Sequence, residues 1–168
     1  MKTWHTIAGW VVALMMLVGS TAAQSRPDFS GVWTPVDTAV PPVPPPPPPG
    51  GPPPPPPPPR TLSTRIAQTA TDFKVERRVD TNGREMVYTF NYKFDGSETV
   101  NQMGSIVLRT RASWDGGALV LSSVATVEDK PIGQIKDVYR LEEGELVIET
   151  TRQTSAGTFT AKAAHRKK

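Results

Sequence analysis

Met86-Val87-Tyr88-Thr89-Phe90-Asn91-Tyr92-Lys93-Phe94 decides the fold class. Met86, Tyr88, Phe90, Tyr92 and Phe94 recur every second residue, with polar or small residues mostly between them. A helix would scatter that set around its circumference, whereas a strand puts it on one face. The stretch is therefore a strand with an aromatic row turned toward a core. Asp95-Gly96-Ser97 follows it as a turn, and Thr81-Asn82-Gly83 precedes it as a hairpin signal.

The same grammar continues in both directions. Thr61 to Thr69 and Phe73 to Val79 read as strands upstream. Downstream, Glu98 to Asn101 is a short piece, and Ile106, Leu108, Thr110, Ala112 and Trp114 alternate against Val107, Arg109, Arg111 and Ser113. Asp115-Gly116-Gly117 turns into Ala118 to Val127. A loop is expected over Glu128 to Gln134, which holds Pro131 and Gly133. Ile135 to Leu141 and Leu146 to Arg152 form a hairpin, and Thr158 to Ala164 is the last strand. Short connections make sequential neighbours antiparallel. The expectation is an all-β antiparallel meander of about eight to nine strands, closed or half-open as a barrel so that its edges are not left bare. A flatter sheet covered by an oligomer partner is the second choice.

Two segments stand apart from this pattern. Residues 1-23 read as a signal peptide: Lys2, an apolar run from Ile7 to Val18, then Gly19-Ser20-Thr21-Ala22-Ala23 as small residues before a cut near Ala23. The apolar run falls short of the about 20 residues a bilayer span needs, so no stable membrane anchor is expected after cleavage. The compartment expected is the periplasm or the medium. Of 19 prolines, most lie between Pro41 and Pro59, interrupted by Val43, Gly50 and Gly51. Proline fixes φ and lacks an N–H, so residues 35-60 read as a polyproline II linker or insert, with Gly50-Gly51 as its bend. This divides residues 24-34, a first strand, from residues 61-168, the meander domain. Such a rod is also a docking ligand for an aromatic groove, so a protein partner is a second expectation.

The chain of 168 residues has no cysteine, so its core stands without disulfides or thiolate chemistry. With 19 basic and 16 acidic residues the net charge is +3, and +2 without Lys2, too balanced to argue for nucleic acid. Of two histidines, His5 lies in the leader and His165 in a basic C-terminal stretch that reads as a solvated tail. No catalytic triad, metal site or cofactor site can be assembled from one histidine, and the protein is not expected to be an enzyme. Asp95, Glu98 and Asn101 form a compact polar set, better read as turn chemistry than as an acid–base pair. Arg109 and Arg111 share a face, with Arg77 a candidate neighbour across the sheet, and could hold a carboxylate if turned inward. Alternation with Ile106, Leu108 and Trp114 favours the outside for both.

Phe29-Ser30-Gly31-Val32-Trp33-Thr34 opens the mature chain. A Gly-x-Trp in the first strand of a β-meander resembles the calycins, which include lipocalins and fatty-acid-binding proteins. The resemblance implies a lipocalin-like barrel in which Gly31 lets the strand bend and Trp33 plugs the closed end. It also implies a late basic residue across Trp33, with Arg166 the best-placed candidate and Lys162 the next. Asp28 to Trp33, Asp95-Gly96-Ser97-Glu98 with Asn101, and Trp114-Asp115-Gly116 with Leu119-Val120 together resemble small secreted bacterial proteins of unknown function that carry a Pro- or Gly-rich insert after the first strand. That likeness implies export and the barrel, and no activity. A small apolar ligand in the interior is the function implied, with Tyr88, Phe90, Tyr92 and Trp114 as candidate ligand-binding residues. Whether the interior is a cavity or is packed stays open at this level.

Overall fold

The computed structural model describes residues 26–36, 60–81 and 83–168. The leader with its cleavage site, and the proline run with Gly50-Gly51, lie outside the described residues. Ten strands follow one another: β1 (Gly31–Pro35), β2 (Arg60–Gln68), β3 (Asp72–Thr81), β4 (Arg84–Lys93), β5 (Thr99–Met103), β6 (Ile106–Asp115), β7 (Ala118–Val127), β8 (Lys130–Glu142), β9 (Glu145–Thr154) and β10 (Gly157–Lys167). They form one antiparallel sheet in the order β4-β3-β2-β1-β10-β9-β8-β7-β6-β5. The first strand is held between its sequence neighbour and the last strand, with Trp33 opposite Thr64 on one side and Lys167 on the other. That pairing curls the meander into a nearly closed, lipocalin-like barrel.

The barrel closes without a backbone ladder between β4 and β5. Instead, the Asn101 side chain spans the seam: its Oδ1 accepts the Asn91 N–H at 2.7 Å and its Nδ2 donates to the Asn91 carbonyl at 3.0 Å. One amide thus imitates the pair of bonds a facing residue gives in an antiparallel ladder.

Three expectations change. There are ten strands rather than eight or nine, counting the short piece expected at Glu98 to Asn101, which forms β5. The expected loop at Glu128 to Gln134 is mostly strand. Glu128 and Asp129, at φ 49° and 61°, make a tight turn by themselves, and a bulge between Ala125 and Thr126 absorbs the register shift, so β8 begins at Lys130. The C-terminal stretch is not a solvated tail: His165 is 4% exposed and pairs with Leu146 and Pro35 inside the sheet. The sheet needs that strand to grip β1, which explains why a sequence ending in charges stays ordered.

Candidate functional site in the barrel interior

The closed end of the barrel is built from the first residues of the described chain. Gln68 fixes them: its Oε1 accepts the Phe29 N–H at 3.1 Å and its Nε2 donates to the Pro27 carbonyl at 2.9 Å. Trp33, 2% exposed, donates its indole N–H to the Phe29 carbonyl at 2.8 Å. Phe29 stacks on Trp114 at 6.0 Å and meets Phe73 edge-on at 6.1 Å. Buried aromatics of this size each stabilise the fold by about 1.5–3 kcal/mol.

Gly31 does what the motif implies, at φ 139°, where a side chain is strained. A Cβ there would lie 2.6 Å from Lys167 Cε. The cation across Trp33 is that Lys167, with Nζ 5.5 Å from the ring. Arg166, the residue expected there, points outward to Glu145 at 3.0 Å, and Lys162 pairs with Glu142 at 3.1 Å. The parity of β10 decides this: Lys167 shares its face with His165, and Arg166 and Lys162 do not.

Exposure divides the interior in two. At the closed end Phe73, Leu119, Leu146 and Tyr139 are each 0% exposed. Toward the other end Tyr88, Ile135, Asp137 and Thr150 on the inner faces keep partial exposure, and the rim shows Met86 at 42% and Phe159 at 59%. The lower half is packed, and the inner faces of the upper half are partly open to solvent. Two hollows, of about 380 Å³ beside Arg26 and Phe94 and about 260 Å³ along the seam beside Asn91 and Thr99, lie away from these residues.

Arg77 lies where the packed half meets the partly exposed half. Phe73, Val75, Arg77 and Val79 share one face of β3, so the guanidinium is carried inward with the apolar set. It donates to the Tyr139 hydroxyl at 2.7 Å and lies 5.9 Å over the Phe90 ring. Among the described residues no carboxylate comes within ion-pair distance of it. Tyr139 first, then Asp137 and Tyr92, raise the Arg77 pKa against the burial that would lower it, so the group stays charged. Burial pushes both tyrosine hydroxyls up, so they stay neutral. Asp137 accepts from the Thr150 hydroxyl, and Thr110 and Ser123 share a buried hydrogen bond at 2.8 Å.

The four candidate ligand residues separate along the axis. Tyr88 is the cross-strand neighbour of Arg77, and Phe90 lies under the guanidinium. Tyr92 packs on Phe73 at 6.2 Å, in the closed half. Trp114 lies lower still, between Phe29 and Phe94, the latter at 5.3 Å. Arg109 and Arg111 face outward, Arg109 onto Glu98 at 3.3 Å and Arg111 onto the Gly96 carbonyl at 3.1 Å. Asp95 accepts the Ser97 N–H at 2.8 Å as turn chemistry, which also lowers its pKa.

No family model matches the sequence, and no curated protein is similar to it. Among solved structures, the chain is similar to the zebrafish ileal bile acid-binding protein complexed with cholic acid (20% identity, 63% of this chain and 72% of that one, TM-score 0.47). It is likewise similar to a secretory abundant heat soluble protein from Ramazzottius varieornatus (19% identity, 63% and 70%, TM-score 0.47) and to Caenorhabditis elegans lipid binding protein 8 without ligand (13% identity, 64% and 72%, TM-score 0.47).

Residue-level reading missed two interior groups, Thr64 and His165, and grouped Arg77 with Arg109 and Arg111, from which the fold separates it. Arg77 did carry a signal, as the one cation in an otherwise apolar period-two register. Thr64 and His165 carried none, because a threonine or a terminal histidine fits an outer face equally well.

Proposed function

We propose that this protein is a non-enzymatic carrier that holds one small, mainly apolar molecule with an anionic head group in the upper half of its barrel. The observation that carries the reading is Arg77: a half-buried cation on the inner face of β3, with no carboxylate in ion-pair range among the described residues, below inner faces where Tyr88, Ile135 and Met86 stay partly exposed beside the polar Asp137 and Thr150. A half-buried guanidinium with one neutral acceptor keeps donors unpaired, and a bidentate carboxylate or similar oxyanion is its natural complement. The Phe90 ring beneath it and Tyr88 beside it fix the direction from which such a group arrives. Ligand bodies would lie upward along Val79, Ile135 and Met86. The leader pattern of residues 1-23 supports a carrier outside the cytoplasm, with cleavage near Ala23.

Displacement of a neutral fluorescent naphthylamine by alkyl carboxylates and by alcohols of equal chain length tests the reading. Carboxylates should displace it better than alcohols, and the preference should vanish in Arg77→Met. Equal potency of the two series in the unsubstituted protein would remove the anionic head from the proposal. No binding of any of these probes would remove the carrier.

A further inference from the structure

Beneath Arg77 lie two polar atoms with nothing to bond. Thr64 Oγ1 and His165 Nδ1 are both buried and have no hydrogen-bond partner, in residues 1% and 4% exposed. Thr64 is the cross-strand partner of Arg77, and His165 lies across β1, opposite Pro35. Three strands thus bring an under-bonded guanidinium, a hydroxyl and an imidazole to one part of the interior. Buried polar atoms left without partners are uncommon, and where they gather they mark a place for an ordered water or a ligand atom.

His165 is also held neutral. Burial lowers its pKa, the Arg77 charge lowers it further, and the Leu146 and Ala163 carbonyls oppose both. The other neighbours bring no opposing charge. From β9 it meets Leu146, from β1 Pro35, and Lys167, the next interior side chain on β10, lies over Trp33. Glu145 is turned outward to Arg166. Asp137 and Tyr139 act on Arg77.

We infer that the barrel takes up its anionic ligand together with one proton, which His165 holds. The inference rests on the carrier reading above. An anion against Arg77 cancels the charge that disfavours the imidazolium, and protonation gives the unpartnered Nδ1 a hydrogen to direct at that anion or at a water between them. The proton comes from solvent and no bond within the ligand changes. By linkage, the bound state has the higher imidazole pKa. Affinity for an anion therefore rises as pH falls through the window between the bound and free values, by about tenfold per unit of difference between them.

The experiment uses the full chain with two probes, an anilinonaphthalene sulfonate and an uncharged phenylnaphthylamine. The sulfonate does not titrate near neutrality, so any proton taken up goes to the protein. Binding heats of the sulfonate, measured near pH 6.5 in two buffers of different ionisation enthalpy, should differ by the uptake of a sizeable fraction of a proton. The neutral probe should show no such difference, and His165→Gln should abolish it. In parallel, the His165 imidazole proton resonance should titrate at higher pH with the sulfonate bound than without it. That measurement needs no variant, so it stands even if His165→Gln fails to fold. Equal heats in both buffers, or an unmoved resonance, would overturn the proton linkage while leaving the carrier intact. Binding of the neutral probe without the sulfonate would overturn the anion floor and the linkage together. Binding of neither overturns the carrier as well.

Discussion

The Asn101 side chain on β5 makes both of its amide bonds to one residue, Asn91 on β4, and so closes the barrel where the backbone ladder stops. Asn101 is 6% exposed, so its loss leaves Asn91 N–H and C=O without a partner at a half-buried seam. Asn101→Ala should destabilise the fold by about 1–3 kcal/mol. Asn101→Asp keeps the acceptor, loses the donor and adds a buried charge, so it should cost at least as much at neutral pH. Amide hydrogen exchange checks the mechanism: protection of Asn91 should fall in Asn101→Ala, while Val75 at the centre of the β3–β4 ladder keeps its protection.

Gly31 separates two effects that coincide in the structure. A side chain there would press on Lys167 and would also sit at φ 139°. The Lys167 tip is flexible and can move aside, so the backbone conformation should dominate. Gly31→Ala should cost about 1–3 kcal/mol, and most of that loss should persist in a Lys167→Ala background. Full rescue by Lys167→Ala in denaturant unfolding would show that the contact, not the backbone angle, requires glycine. Lys167→Ala alone removes a half-exposed cation from the Trp33 face and should cost only about 0.5–1 kcal/mol.

The Arg77–Tyr139 pair opposes stability to binding. Arg77→Met replaces a buried cation by an apolar side chain of similar length, a change that is often neutral or stabilising. Its melting temperature should hold or rise while carboxylate binding is lost. Tyr139→Phe does the reverse. It leaves the guanidinium charged and removes its 2.7 Å acceptor, so stability should drop by about 1–3 kcal/mol. A loss of stability in Arg77→Met larger than in Tyr139→Phe would mean that the cation, rather than the missing anion, is what the fold is built around.

Periodicity made the barrel legible, because a half-buried strand writes its inner face into alternate residues. Tyr88 to Phe94 and Ile106 to Trp114 declared their cores in this way, and Arg109 and Arg111 were placed outside by parity alone. Height along the barrel axis was not legible. Strand tilt and register set it, which is why Tyr88 and Trp114, alike in sequence as inward aromatics, stand at opposite ends. The role of β10 was hidden for a related reason. Charges at Arg166, Lys167 and Lys168 look like a tail until β1 is known to need a second neighbour. Only then does the parity that puts His165 inside also choose Lys167 over Arg166 for Trp33.

Burial of His165 in its neutral form gives the fold its own pH dependence. Its pKa in the folded chain lies below the ordinary value of about 6.5. The unfolded chain therefore binds the extra proton first as pH falls, and stability is lost on acidification through the interval from about 6.5 down to the folded value. Above that interval His165 is neutral in both states and contributes no slope. Denaturant midpoints between pH 8 and pH 5 should accordingly fall on the acid side with a component that His165→Gln flattens, whatever that variant does to the absolute midpoint. A saturating anionic ligand should also shrink this component, since it raises the folded-state value toward the unfolded one. Persistence of the full slope in His165→Gln would remove His165 as its source; Asp28 and Asp95, lowered from the ordinary value of 3.8, lose their own contributions only at more acidic pH than this window.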